Sequence, residues 1–112
     1  MKLRIEVAAR NDLIEGYYFY EDSDEQVGDY FLATLYSDIE SLRIFGGIHR
    51  KAYKSLYRAL SRKFPFAVYY TIENKEVVVR AVLDCRRDPS WIRNRIKNEI
   101  HLIPARAMEG ER

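Results

Sequence analysis

Two strongly apolar runs, Phe66 to Ile72 and Val77 to Leu83, are separated only by Glu73-Asn74-Lys75-Glu76. Both are rich in β-branched and aromatic residues, and the polar tetrapeptide between them contains Asn and Lys, either of which can take a tight turn. The pair therefore predicts a β-hairpin. Neither run alternates with polar residues, so both faces of the hairpin must be covered and its strands belong at the centre of a sheet. Whatever else the chain does, it has to supply cover for those two faces.

The preceding residues offer that cover. Lys2 to Val7 alternates Leu3, Ile5 and Val7 against charged residues, the period of a short half-buried strand. From Ala9 to Glu21, Leu13, Tyr17 and Tyr20 recur at helical spacing, with Ile14 and Tyr18 beside them. After the polar break Asp22 to Glu25, a second helix is predicted from Gln26 to Phe45, with Val27, Phe31, Leu35, Ile39 and Leu42 on one stripe and Gly46-Gly47 as its stop. Such a short connection implies an antiparallel helical hairpin lying on the sheet. Gly16, inside the first helix, is explained by a close helix-to-helix contact.

Gly46 to Ser55 reads as a loop, Leu56 to Lys63 as a strand, and Ser90 to Ile96, after Asp88-Pro89, as a short helix. The expected class is α+β, in the order β-α-α-β-β-β-α, with the helical hairpin on a small antiparallel sheet. Residues 1–96 are expected to form one domain and 97–112 a partly frayed tail.

A chain of 112 residues, 47% hydrophobic and 32% charged, is neither mainly disordered nor large enough for two cores. One cysteine, Cys85, permits no internal disulfide and suits a reducing compartment. Charges interrupt the N-terminal apolar residues too soon for a signal peptide or membrane span, so a cytoplasmic protein is expected. Residues 1–48 carry four Lys/Arg and ten Asp/Glu; residues 49–112 carry fifteen and seven. The basic half suits an acidic protein surface or a phosphate backbone, or is simply a solvated face.

Several basic and aromatic residues are candidates for contacts. Arg58, Arg62 and Arg80 fall on neighbouring predicted strands, where they would make one basic face with Arg86 and Arg87. That last pair either bridges to Asp84 and Asp88 or offers bidentate recognition of carboxylate or phosphate. Trp91 packs under the short helix or meets a partner. His49 and His101 stand apart from other metal-binding side chains, so no metal site is expected, nor any cofactor. Cys85 lies next to arginines but has no general base in the sequence around it, and is expected to be inert.

The hairpin region resembles the RelE/ParE superfamily of toxins, and more closely its ParE, or plasmid-stabilisation, branch. The resemblance rests on Phe64-Pro65-Phe66-Ala67-Val68-Tyr69-Tyr70, on Val77 to Leu83 running into Arg86-Arg87-Asp88-Pro89, and on Tyr17-Tyr18 followed by Val27-Gly28-Asp29-Tyr30-Phe31-Leu32. It spans about Leu3 to Ile96. RelE-like members cleave mRNA on the ribosome with basic strand residues and a tyrosine. Here those positions fall on Phe66, near Tyr57 and Ala59, and near Arg93, and the resemblance retains only the arginine after the last strand, Arg87 with Arg86 beside it.

It therefore implies the ParE activity, inhibition of DNA gyrase by binding, with no catalytic residue required. Arg58, Arg62, Arg80, Arg86, Arg87, Trp91 and Arg93 are the target-binding candidates. The implied partner is an antitoxin, ParD-like, that wraps the toxin, with Tyr17, Phe31, Leu35, Tyr69 and Tyr70 as candidates for its groove. Neither membrane association nor sequence-specific DNA binding is implied. The alternatives are a ribosome-dependent endoribonuclease using Arg86 and Arg87, and an inactive member that only binds antitoxin.

Overall fold

A computed structural model describes residues 1–101. The chain runs β1 (Lys2–Ile5), α1 (Val7–Ser23), α2 (Val27–Glu40), α3 (Leu42–Phe45), β2 (Lys51–Tyr53), β3 (Leu56–Leu60), β4 (Phe66–Glu73), β5 (Glu76–Asp84) and α4 (Pro89–His101). The five strands form one sheet in the order β1-β5-β4-β3-β2, with the expected hairpin β4–β5 at its centre. Asn74 and Lys75 close that hairpin with φ of 51° and 62°, the left-handed pair of a type I′ turn whose twist matches the strands.

Both faces of the hairpin are buried, as its apolar runs require. On one face Leu13 of α1 and Phe31, Leu35 and Ile39 of α2 pack against Val68, Tyr70, Val77, Val79 and Val82. On the other, Ile96 and Ile100 of α4 cover Ala67, Tyr69, Ala81 and Leu83. The molecule is thus a three-layer α+β stack, a helical hairpin above the sheet and one helix below it. A register shift between Tyr69 and Tyr70 leaves Arg80 of β5 without a partner in the ladder, since Tyr69 faces Ala81 and Tyr70 faces Val79. This bulge moves Val82, rather than Ala81, onto the face shared by Val77 and Val79.

Several details differ from the sequence expectation, among them β1, which ends at Ile5 so that Val7 opens α1, and β3, which ends at Leu60 rather than Lys63. The sheet is mixed rather than antiparallel throughout, because β1 runs parallel to β5. Its direction follows from its exit: Glu6 donates its N–H to Val79 O at 3.0 Å and the chain turns at once into α1, which must pack back over β5. The helix expected to Phe45 breaks at Ser41, whose hydroxyl donates to Asp38 O at 2.6 Å and competes for backbone acceptors. Part of the expected loop, Lys51–Tyr53, forms an edge strand on β3. The last helix continues beyond Ile96 to His101, with Glu99 and Ile100 buried; the rest of the expected tail, 102–112, lies outside the described residues.

Gly16 does mark a close helix contact. A Cβ there would lie 2.5 Å from Cζ of Phe31, which is fully buried. Phe31 cannot swing aside, because Tyr20, Phe64 and Phe66 surround it with ring centroids at 5.1, 5.1 and 4.8 Å. Overpacking of this kind costs about 1–3 kcal/mol, more than the roughly 1 kcal/mol that alanine gains over glycine in a helix. Gly16→Ala is therefore expected to lower stability by about 1 kcal/mol in urea titration, with an unchanged denaturant slope.

Candidate functional site at the end of the central hairpin

The aromatic cluster that buries Phe31 also fixes the far end of β5. Phe64 and Phe66 bring the β3–β4 loop against Tyr20 near the end of α1, at ring-centroid distances of 4.9 and 6.2 Å. Pro65 O accepts the Cys85 N–H at 2.8 Å, so the chain leaving β5 is tied to this loop. Asp84 then turns the chain: one of its carboxylate oxygens accepts the Arg86 N–H at 2.8 Å and Nε at 3.0 Å, and the other accepts Nη2 at 2.8 Å. Arg86 Nη2 also donates to the Tyr20 hydroxyl at 3.4 Å, and its guanidinium lies 5.9 Å from the centre of the Phe19 ring. Arg86 is a strap from the end of β5 to the end of α1. Its hydrogen bonds hold the Asp84 carboxyl below the usual carboxylate range.

Arg87 is used differently. Its guanidinium stacks on the Trp91 ring, 4.0 Å from the centroid, in a geometry suited to a cation–π contact. Trp91 stands on the first turns of α4, which Asp88 caps by accepting the Ser90 N–H and hydroxyl, both at 2.7 Å, with Pro89 in the position that needs no donor. Between this stack and α1 lies a cleft of about 280 Å³. Gly16, Phe66 and Val82 floor it, and Phe19 (55% exposed), Trp91 (37%) and Arg87 wall it. The arrangement offers a partner one stacked cation and two exposed aromatic surfaces on rigid elements.

Beneath the cleft is a clamp that sequence reasoning missed. Asp12 of α1 is buried, accepts the Val82 N–H at 2.9 Å and takes both outer nitrogens of Arg95 from α4 at 2.7 Å. Arg95 Nε is held by Glu99 at 2.9 Å. The bond to Val82 falls just past the bulge, so one carboxylate locks α1, β5 and α4 together. Burial pushes the Asp12 carboxyl up, while Arg95 and the Val82 amide pull it back. The available signal was a carboxylate on the same helical stripe as Ala9, Leu13 and Gly16, where an apolar residue would be expected.

The arginines expected to form one basic face are dispersed. Arg58 lies on the α4 side of the sheet, donating to Tyr69 Oη at 3.2 Å and approaching Cys85 Sγ at 3.4 Å. Arg62 leaves the strand, because β3 ends at Leu60, and pairs with Asp38 at 3.1 Å. Arg80, placed by the bulge, is 6% exposed and bound to Glu73 at 2.7 Å and Thr71 at 3.3 Å. Each has been given a local acceptor, which alternation along a strand does not reveal. Arg86, Arg87 and Trp91 do come together, and Arg93 is exposed on α4.

The groove candidates are mostly core. Phe31, Leu35 and Tyr70 are fully buried and Tyr69 is 3% exposed, so none of the four presents a surface; their apolar stripe is used up against the sheet. Tyr17 is half-buried, edge-on to Tyr18 at 5.2 Å. His49, isolated in sequence, meets the buried Tyr70 hydroxyl through Nδ1 at 2.5 Å, and burial holds its imidazole below the usual value. At the positions of the RelE-like basic residues, Phe66 and Ala59 are buried and Tyr57 stacks on Tyr70 with centroids 5.1 Å apart.

No protein-family model and no curated protein matches the chain. Among solved structures, a chain of the "Chromosomal ParDE TA system from P. aeruginosa" is similar, with a TM-score of 0.68 and 14% identity, over 73% of this chain and 92% of that one. The ParE-like α+β fold expected from the hairpin is therefore the fold observed. Among the described residues, no helix is long and apolar enough to cross a membrane.

Two measurements check the site's construction. Arg95→Ala is expected to cost about 3 kcal/mol at neutral pH, because it strands the buried Asp12 charge. With the Asp12 pKa raised, the folded state takes up a proton more readily than the unfolded chain, so the penalty should narrow on acidification, beginning above the ordinary carboxylate range. Arg86→Ala should cost less than about 1 kcal/mol, since its side chain is 54% exposed. The depressed Asp84 contributes stability present above its unfolded pKa and lost as pH falls through its folded one. NMR titration of the variant should move the Asp84 carboxyl upward toward the ordinary range, with the backbone N–H of residue 86 and the charge of Arg87 still holding it down in part.

Proposed function

We propose that this chain is the toxin of a toxin–antitoxin module, that it acts in the cytoplasm by binding DNA gyrase rather than by cleaving RNA, and that a cognate ParD-like antitoxin neutralises it. The observation that carries this reading is the similarity in fold to a chain of a ParDE TA system over most of both chains. The contact surface supports a binding rather than a catalytic role. Arg87 stacked on Trp91 and the exposed Phe19 line one cleft as a cationic and aromatic surface of the kind that dominates protein interfaces.

The ribonuclease alternative is less well supported. Phe66 and Ala59 stand buried where the resemblance would put basic side chains, and the Arg86 guanidinium is engaged by Asp84. Without those cations little remains to stabilise a phosphoryl transition state.

The purified protein is expected to inhibit supercoiling by gyrase in a dose-dependent way. Arg87→Ala with Trp91→Ala should remove the inhibition while leaving the circular dichroism spectrum unchanged. Unaffected supercoiling at saturating protein would exclude gyrase as target, and new 5′ ends on translated mRNA would establish the ribonuclease reading in its place.

A further inference from the structure

The two most exposed large apolar side chains among the described residues, Ile44 (79%) and Ile48 (74%), stand four positions apart with Phe45 (51%) between them. They lie where α3 gives way to the loop before β2. That loop folds back on itself, Gly46 donating its N–H to Leu42 O at 2.8 Å and Ile48 to Phe45 O at 3.2 Å. Met1 joins the patch: its amine donates to Arg43 O at 2.7 Å, and its Cε lies 2.8 Å from where a Cβ on Gly46 would stand. The loop is also pinned to the core. Gly47, at φ of 98°, donates to the hydroxyl of the buried Tyr70 at 2.9 Å, and His49 Nδ1 meets the same oxygen. The fold thus presents these aliphatic side chains to solvent from a fixed backbone.

The charge beside the patch is positive. From Ser41 to Ile72 the sequence has seven Lys/Arg and no Asp or Glu. Arg50 and Lys51, next after His49, are both exposed. Lys51 Nζ lies 5.3 Å from the centre of the Tyr57 ring, which stacks on Tyr70, so this ammonium shares a face of the sheet with His49. Carboxylates on the flanking elements are already engaged: Glu40 by Arg43, Asp38 by Ser61 and Arg62, and Glu76 by Arg4. An anionic surface would meet little opposing charge here.

We propose that this tip docks on an anionic lipid bilayer, with Ile44, Phe45 and Ile48 entering the headgroup boundary while Arg50 and Lys51 meet lipid phosphates. The proposal is independent of the toxin reading, and it departs from the sequence resemblance, which implies no membrane association. Protruding aliphatic side chains suit a partner that yields, and a bilayer boundary accepts them without a complementary pocket. Apolar insertion and attraction to anionic headgroups are each weak alone and add when they coincide, as they do at this loop. Duplex DNA would use the cations but leave Ile44 and Ile48 in water. A second copy docked by two-fold symmetry would set another basic rim against this one, which disfavours self-association.

The test is co-sedimentation of the purified protein with vesicles of phosphatidylcholine alone and of phosphatidylcholine and phosphatidylglycerol in equal parts. Ile44→Ser/Ile48→Ser and Arg50→Glu/Lys51→Glu are compared with the wild type. All four positions are exposed, and circular dichroism with thermal midpoints checks that each variant is folded. The wild type is expected to prefer the anionic vesicles at least about tenfold, with an affinity that falls as salt is added, and each double variant to lose at least about tenfold. No preference for anionic vesicles, or full binding by Ile44→Ser/Ile48→Ser, would overturn the proposal. Duplex DNA binding that Arg50→Glu/Lys51→Glu weakens, in the absence of vesicle binding, would reassign the cations to a phosphate backbone. A wild-type dimer in ultracentrifugation that Ile44→Ser/Ile48→Ser dissociates would overturn the choice of partner in favour of a second copy.

Discussion

The pairing of β4 with β5 governs the rest of the molecule, because a ladder apolar on both faces has to be covered twice. Valines and Tyr70 on one side demand the α1–α2 hairpin, and Ala67, Tyr69, Ala81 and Leu83 on the other demand α4. The interruption of that ladder matters as much as its continuity. At Arg80 the bulge reverses which residues of β5 meet the helices. It also buries a guanidinium that Glu73 neutralises, and presents the Val82 amide to Asp12. A regular strand would have left Asp12, and through it Arg95, without that partner.

The candidate site inherits its rigidity from this construction. Four aromatic rings fasten the β3–β4 loop to α1, the Pro65 carbonyl fastens the loop to β5, and Arg86 fastens the end of β5 back to α1. Arg87 is left to stack on Trp91 at the mouth of the cleft. The adjacent arginines therefore have separate tasks, one structural and one presented outward. That division explains why a pair of positive charges ends the most apolar hairpin.

Much of the fold was legible in the sequence, and the reason is periodicity. Apolar runs, turn residues and helical stripes identify the central hairpin, both long helices and the close contact at Gly16 from local information alone. The site was legible only in part. Arg86, Arg87 and Trp91 are near neighbours in sequence, so their meeting needed little more than a turn and a helix start. Arg58, Arg62 and Arg80 were not separable from them by pattern. Strand alternation places side chains on faces, whereas a bulge, an early strand end and nearby carboxylates decide where a guanidinium goes. Phe31, Leu35 and Tyr70 illustrate the converse, since an apolar stripe reads alike whether it faces a partner or the protein's own sheet.

Composition and periodicity by themselves determined that this chain would build an α+β domain around one two-sided hairpin, since hydrophobic burial acts on local patterns that any reader can count. Only the tertiary structure decided the direction of β1, the carboxylate that joins α1 to β5 and α4, and which cations remain free. Those outcomes depend on contacts between residues up to 83 positions apart, as Asp12 and Arg95 are. Their energies arise only once distant segments share a dry interior, so no local stretch of sequence carries them.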